Sequence, residues 1–575
     1  MYKKIFSHVG KYKKYAILAP ITITGEVVME VLIPLVMAQI INNGILEGNI
    51  GYVVKMGLLM ILMATVSLFF GAVAGRFAAV ASVGFAKNLR SSLFKKVQDF
   101  SFSNIDKFST ASLLTRLTTD INNTQNAFMM IIRTAFRAPI MLVFALVMTI
   151  RINPKLSTVF LVVVPVLAIA IILVLTNAHP RFLKMLTKYD AMNSSVQENL
   201  VGIRVVKAFV REDHEKKDFE KTADGVRKAQ VFAEKLIILV SPFMQMCIYT
   251  CIVAILWFGG KMAINGDMEI GYLASFITYV TQILMSLMML SMIFMMIIIS
   301  RASIERICEV LDEEPDIKDS EKSSAEFADG SIIFENVNFS YFKDKNNFAL
   351  ENINLKINSG ETIGIIGGTG SSKTTLVQLI PRLYDTTEGN VIVGGNNVKD
   401  YSIEALRSEV AMVLQKNVLF SGTIKENLLW GDENATDEEI YDACKSACAH
   451  DFIMSFPDGY ETNLGQGGVN VSGGQKQRLC IARALIKKPR IIILDDSTSA
   501  VDTATDSSIR KAFREKLADT TTLIIAQRIS SVKDADRIIV MDDGKIDGIG
   551  THDELLANNT IYREVYESQQ KGAED

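Results

Sequence analysis

Six apolar runs, each long enough to cross a lipid bilayer, fall within the first 300 residues of the 575-residue chain, and no other feature constrains its fold as tightly. Roughly 20 mainly apolar residues in helical form span the hydrocarbon core. The runs are Tyr15–Ile41, Tyr52–Arg76, Met129–Ile150, Leu156–Asn177, Leu236–Lys261 and Tyr272–Ser300. Charge sorts the segments between them. Lys3, Lys4, Lys11, Lys13 and Lys14 precede the first run, and Asn42–Gly51 carries no Lys or Arg. The long connections Arg76–Gln125 and His179–Lys235 are rich in both. The positive-inside rule then puts the N-terminus and both long connections in the cytoplasm, and an even number of spans returns the C-terminus there. Arg151 and Lys155, in a short outer loop, run against the trend. The first run is too long for a cleaved signal peptide, and no small-residue cleavage site follows it.

Composition agrees: 49% hydrophobic and 21% charged residues, with a mean hydropathy of +0.25, exclude an ordinary soluble enzyme and a disordered or fibrous chain. A net charge of -3 provides no basic footprint for nucleic acid. The six Cys form no CxxC pair and the five His no HExxH, so neither a disulfide framework nor a zinc site is expected.

The helical pattern Glu198–Glu212 in the second long connection predicts that the spans continue as helices beyond the bilayer. After the last run a polar, Ser-rich stretch reads as a linker. The expected division is a transmembrane domain over 1–312, a linker over 313–330 and a soluble domain over 331–575. In the soluble domain, strands such as Ile363–Ile366 and Ile491–Leu494 alternate with helical stretches, the pattern of a largely parallel α/β sheet.

Gly367, Gly368, Thr369, Gly370, Ser371, Ser372, Lys373 and Thr374 directly follow one of those strands and lead into the helical run that begins at Thr375. This is the context of a phosphate-binding loop, in which backbone N–H groups cradle phosphate, Lys neutralises it and the Thr hydroxyl reaches Mg²⁺. Ser372 stands where such a loop has Gly. A second strand ends in Asp495, in the form of a Walker B acid that holds Mg²⁺ through water. Between the two lies Ser472-Gly473-Gly474-Gln475, followed by Lys476, Gln477 and Arg478.

That last segment resembles the signature of the ATP-binding-cassette family, and with six spans ahead of it the whole chain resembles the exporter half-transporters of that family. The resemblance implies a membrane α-helical bundle of six transmembrane helices with long cytoplasmic extensions, followed by an α/β P-loop nucleotide-binding domain. It also implies ATP with Mg²⁺ as cofactors. Tyr341 would stack on adenine, Gln415 would sense Mg²⁺, Ser499–Asp502 would form the D-loop with Asp502 at the dimer seam, and Thr462–Gly468 would be the X-loop, with Gln466 where Glu is usual. The coupling helices that dock on cassettes would fall around Ser109–Asp120 and Val201–Arg211.

Two positions depart from the family in the catalytic machinery. Asp496 stands where a Glu acts as general base, and pulling the carboxylate back by about an ångström can cost about 10²-fold in rate. Gln527 stands where the switch His is usual; it can hydrogen-bond a γ-phosphate but carries no charge. With Ser472–Gln475 intact, the expectation is the degenerate-site subunit of a bacterial heterodimeric multidrug exporter in the cell membrane. The alternatives are a lipid or peptide exporter, or an ATP-gated channel or regulatory subunit. The expected cargo is a small hydrophobic or amphiphilic compound. Glu26 and Glu30, one turn apart on the first span, would face cationic cargo or pair internally with Arg76, Arg133 or Arg137. Met285, Met288, Met289, Met292 and Met296 form either a packing stripe or an adaptable binding wall.

Overall fold

Each apolar run lies inside a helical stretch that outlasts it. The helical stretches are Gly10–Ile45, Ile50–Gln98, Thr110–Ile152, Pro154–Val201, Glu212–Ile264 and Ile270–Asp312. Ile50–Gln98 has 49 residues, about 73 Å at the helical rise, more than twice the hydrocarbon thickness, so the spans do continue well past a bilayer. The computed structural model describes residues 1–319, 326–342, 344, 347–497 and 501–574; part of the expected linker and Ser499 and Ala500 of the expected D-loop lie outside these. The chain divides into one unit of residues 1–98 and 109–313 and another of residues 99–108 and 314–575.

In the first unit the apolar core is built by Ile23, Val27 and Val31 of the first span, Phe160 of the fourth, Cys251 of the fifth, and Phe276 and Tyr279 of the last. Polar side chains of the last span fasten it to the first. Pro34 lacks an N–H and so leaves the carbonyl of Glu30 without its helical donor. Gln282 Nε2 donates to that carbonyl at 3.4 Å. At successive turns, Tyr279 Oη donates to the Val31 carbonyl at 2.7 Å and Ser275 Oγ to the Pro34 carbonyl at 2.6 Å.

In the second unit six strands stand in the order Lys545–Gly550, Arg537–Asp542, Thr362–Gly367, Thr521–Ile525, Ile491–Asp495 and Val410–Val413. The pairs are parallel except for the Lys545–Gly550 edge. Strands buried on both faces are mostly apolar, and Ile491–Asp495 and Thr521–Ile525, buried at every position, are apolar but for Asp495, Thr521 and Thr522. The sequence does not announce the second sheet, an antiparallel layer of Leu350–Ile357, Ile332–Phe339, Glu388–Val393 and Asn396–Asn397. Parallel pairing brings the carboxyl ends of Thr362–Gly367, Ile491–Asp495 and Thr521–Ile525 to one edge, the usual place for a ligand in such sheets.

Candidate functional site

At that edge Gly367, Gly368, Thr369, Gly370, Ser371, Ser372, Lys373, Thr374 and Thr375 line an open cleft of about 510 Å³, closed by Gln415, Asp495, Asp496 and Gln527. A side chain at Gly367 would run into the carbonyl of Met541 on the neighbouring strand, so this position must be Gly. Ser372 adopts φ 66°, ψ 26°, the left-handed region, immediately before the helix Lys373–Gln378. That conformation costs an L-residue roughly 1–2 kcal/mol and costs Gly little. The departure at Ser372 is therefore a matter of backbone strain more than of side-chain bulk. Lys373 Nζ folds onto its own loop, donating to the carbonyls of Gly367 at 2.9 Å and Gly368 at 2.8 Å and to Ser371 Oγ at 3.3 Å. Burial lowers its pKa, against the pull of the two nearby aspartates.

Thr374 Oγ1 donates to Asp495 Oδ1 at 3.0 Å, and Asp495 is buried. A hydroxyl and a carboxylate side by side form an oxygen donor set suited to a hard divalent cation. Burial raises the Asp495 pKa, a cost that a bound cation would relieve, so these residues fit Mg²⁺. Asp496 follows at φ 49°, with its N–H donating to the Ile525 carbonyl at 3.1 Å. Gln527 Nε2 donates to its Oδ2 at 2.8 Å, and the Gln415 side chain hydrogen-bonds to the same carboxylate. Burial raises the Asp496 pKa, and those two amides and Lys373 oppose the rise. Asp496, Gln527 and Gln415 thus meet at one carboxylate, facing the phosphate loop.

Tyr341 lies beside the loop, its hydroxyl 2.8 Å from Thr375 Oγ1 and its ring edge-to-face with Phe339 and Tyr384. It is 42% exposed, which leaves area for a base to stack on. Tyr384, which the sequence does not single out, donates its hydroxyl to Asp106 Oδ2 at 2.7 Å and stacks on Phe102 at 6.0 Å. Of the first long connection, therefore, the helix Phe102–Phe108, just ahead of the expected Ser109–Asp120, packs with cassette residues; Ser109–Asp120 belongs to the other unit. The density of Phe at 100, 102 and 108 in an otherwise Lys- and Ser-rich stretch is the signal that marks it. In the second connection, Ile203–Ala208 is a short helix, and Val201, Val205, Phe209 and Val210 around it are exposed.

The signature residues do not line the cleft. Ser472 caps the helix Gly473–Ile486, accepting from Gln475 N–H at 3.3 Å, while Gln475 Oε1 accepts the Ser472 N–H at 2.9 Å. This capping box leaves Gly473 and Gly474 open at the positive end of the helix dipole. Asp502 likewise caps Thr503–Lys516, accepting from Thr505 N–H at 3.0 Å, and is held below its usual pKa by that bond.

In the first unit both Glu26 and Glu30 pair with Arg137: Glu26 bonds one guanidinium nitrogen, and Glu30 holds the other through both oxygens at 2.8 and 2.9 Å. Met285 and Met292 are exposed, whereas Met288 packs on the apolar core and Met289 is half-buried.

Residues 16–288 match the model of the ABC transporter transmembrane region, and residues 350–499 match that of the ABC transporter. The ABC transporter ATP-binding protein YfiB of Bacillus subtilis (strain 168) is 39% identical over 567 residues, covering 99% of this chain and 98% of the relative. The putative multidrug export ATP-binding/permease protein YgaD of the same organism is 33% identical over 498 residues, 84% of this chain and 83% of its own. The ATP-dependent lipid A-core flippase of Desulfotalea psychrophila (strain LSv54 / DSM 12343) is 34% identical over 489 residues, 84% of each. The fold matches that of a bacterial Atm1-family ABC exporter with ATP bound, with a TM-score of 0.83 at 23% identity, over 97% of this chain and 98% of that one. The chain belongs to the ABC transporter family, as a multi-pass, ATP-hydrolysing exporter that carries its transmembrane region and its nucleotide-binding cassette on one polypeptide.

Proposed function

We propose that the chain is one subunit of a heterodimeric exporter of small amphiphilic compounds in the cell membrane, with a slow ATP site on its own phosphate loop. The observation that carries this reading is the Asp496 carboxylate. It is one methylene shorter than the family's Glu and is engaged by the amides of Gln527 and Gln415. A general base must reach the attacking water, and a carboxylate drawn back by one methylene does so poorly. Tyr341 stacks on adenine, the backbone of Gly367–Ser372 and Lys373 hold the phosphates, and Thr374 and Asp495 hold Mg²⁺, which neutralises phosphate charge when bound. Gln527 donates to the γ-phosphate. Ser472, Gly473 and Gly474 offer their N–H groups to ATP on the partner's loop, and Asp502 stands at the seam. Both termini are cytoplasmic.

For cargo, two carboxylates on one guanidinium leave the Glu26–Arg137–Glu30 group one negative charge in excess at membrane depth. That excess favours cations, with exposed Met285 and Met292 and neighbouring Met288 and Met289 supplying an adaptable apolar wall. A lipid exporter is the second reading, favoured by the flippase relative. In inside-out vesicles carrying this chain and its partner subunit, ATP should drive accumulation of a cationic dye. Replacing Glu26 and Glu30 by Gln should reduce that uptake about tenfold while sparing a neutral compound of similar hydrophobicity. Equal loss for both compounds would refute the cationic cargo, and mere equilibration of the dye would refute pumping.

A further inference from the structure

The turn that carries Gln527 is fixed on one side by the sheet and on the other by the end of the chain. Strand Thr521–Ile525 stops two residues before Gln527, and Ala526 N–H is the last to reach the neighbouring strand, donating to the Ile365 carbonyl at 3.2 Å. Beyond it the backbone is held by Gln569, on the helix Thr560–Glu574. Gln569 Nε2 donates to the Gln527 carbonyl at 2.7 Å, and Gln569 Oε1 accepts the Ile529 N–H at 2.9 Å. One side-chain amide thereby supplies the donor and the acceptor that an adjacent strand would have offered. The helix is itself anchored. Tyr562 is fully buried, its N–H donates to Asn559 Oδ1 at 2.8 Å and its hydroxyl lies 2.7 Å from His552 Nδ1, within the core that also contains Ile529 and Leu555.

We infer that Gln569 is a positioning residue: its two-point grip on the backbone at Gln527 and Ile529 holds the Gln527 side chain against Asp496 and in reach of the γ-phosphate. This rests on the reading above that Gln527 takes part in ATP hydrolysis. Gln527 Nε2 meets Asp496 Oδ2 at 2.8 Å only while the turn stays in place, and displacement of a reacting group by about 1 Å costs up to about 10²-fold. Among the described residues Gln569 alone accepts the Ile529 N–H and donates to the Gln527 carbonyl, so a change at Gln569 releases the turn without touching the strand.

The test uses the full chain paired with its partner subunit in lipid nanodiscs, with the partner's own catalytic carboxylate replaced so that only this chain's site turns over, and single-turnover release of γ-phosphate from radiolabelled ATP. Gln569→Met keeps side-chain length and packing and removes both hydrogen bonds. The expected result is a rate about tenfold lower, with the ATP concentration for half-maximal rate and the thermal midpoint unchanged. In a Gln527→Ala background the same Gln569→Met change should lower the rate less than twofold, because the side chain through which it acts is gone. Equal loss in both backgrounds would make Gln569 merely structural and overturn the inference, as would no loss in either. If Gln527→Ala alone left the rate unchanged, the role of Gln527 would fall, and the inference with it; that single variant tells the two failures apart.

Discussion

Ser372 illustrates how a single side chain can set a local energy without making a capping hydrogen bond. Its hydroxyl caps nothing, yet its Cβ sits on a backbone at φ 66°, where only Gly escapes the clash with the following carbonyl. Replacing it by Gly removes that clash, while giving the unfolded chain more freedom to lose; the first effect is roughly 1–2 kcal/mol and the second under about 1 kcal/mol. Ser372→Gly should therefore stabilise the nucleotide-free cassette by up to about 1 kcal/mol. Thermal unfolding of the full chain without nucleotide should show the cassette transition moving up, and a downward shift would mean that the loop relaxes in another way. Asp496, at φ 49°, is a second left-handed position, and one where Asp is among the better tolerated residues. The two strained residues face the same cleft, which is where strain collects when the site dictates the backbone.

At the scale of elements, the last span is stitched to the first by Ser275, Tyr279 and Gln282, spaced four and three residues apart on one helical face, each donating to a backbone carbonyl across the interface. Lipid gives apolar side chains no reason to prefer each other, so such bonds carry a larger share of helix association than they would in water. Tyr279 is fully buried, and Phe would keep its packing while leaving Val31 only its helical hydrogen bond. Tyr279→Phe should lower the stability of the transmembrane unit by about 0.6–1 kcal/mol, seen as a lower midpoint in detergent melts, with ATP binding to the cassette unaffected. The spans themselves were legible in the sequence because an apolar run of 20-odd residues has few other uses. Ile363–Ile366 and Ile491–Leu494 were legible because strands buried on both faces are continuously apolar. The antiparallel sheet was not: Ile332–Phe339 pairs on one side with Leu350–Ile357 but on the other with Glu388–Val393, about 50 residues along the chain, and half its residues are not buried. Nor was Phe102–Phe108, whose place is decided by Tyr384, almost 280 residues away. The phosphate loop, Asp495 and Asp496 could be read as motifs. Arg137 was one of three candidate partners for the Glu pair until helix packing chose it. Gln569 carries no motif at all.

For the whole molecule the decisive geometry is that the signature turn and the phosphate loop of one chain do not share a cleft: Ser472, Gly473 and Gly474 lie at the start of Gly473–Ile486, apart from the residues that line the nucleotide site. On the proposed reading a complete ATP site needs two cassettes, each lending its signature to the other. Two kinds of change in this chain should consequently have unequal effects. Ser472→Arg places a long cation at the helix end that would face the partner's ATP, and should abolish most steady-state turnover of the pair, by about 10²-fold or more. Asp496→Glu restores reach only at this chain's own site. If the proposed heterodimer holds, it should raise the activity of the pair little, because the partner's site would dominate, yet raise that of this chain alone by about 10- to 100-fold. Phosphate release measured on the chain alone and on the co-purified pair separates these outcomes. Brisk turnover by the unmodified chain alone would mean that Asp496 serves as an adequate base, and two identical subunits would then suffice. A pair insensitive to Ser472→Arg would mean that the partner's site is completed by something other than this chain's signature.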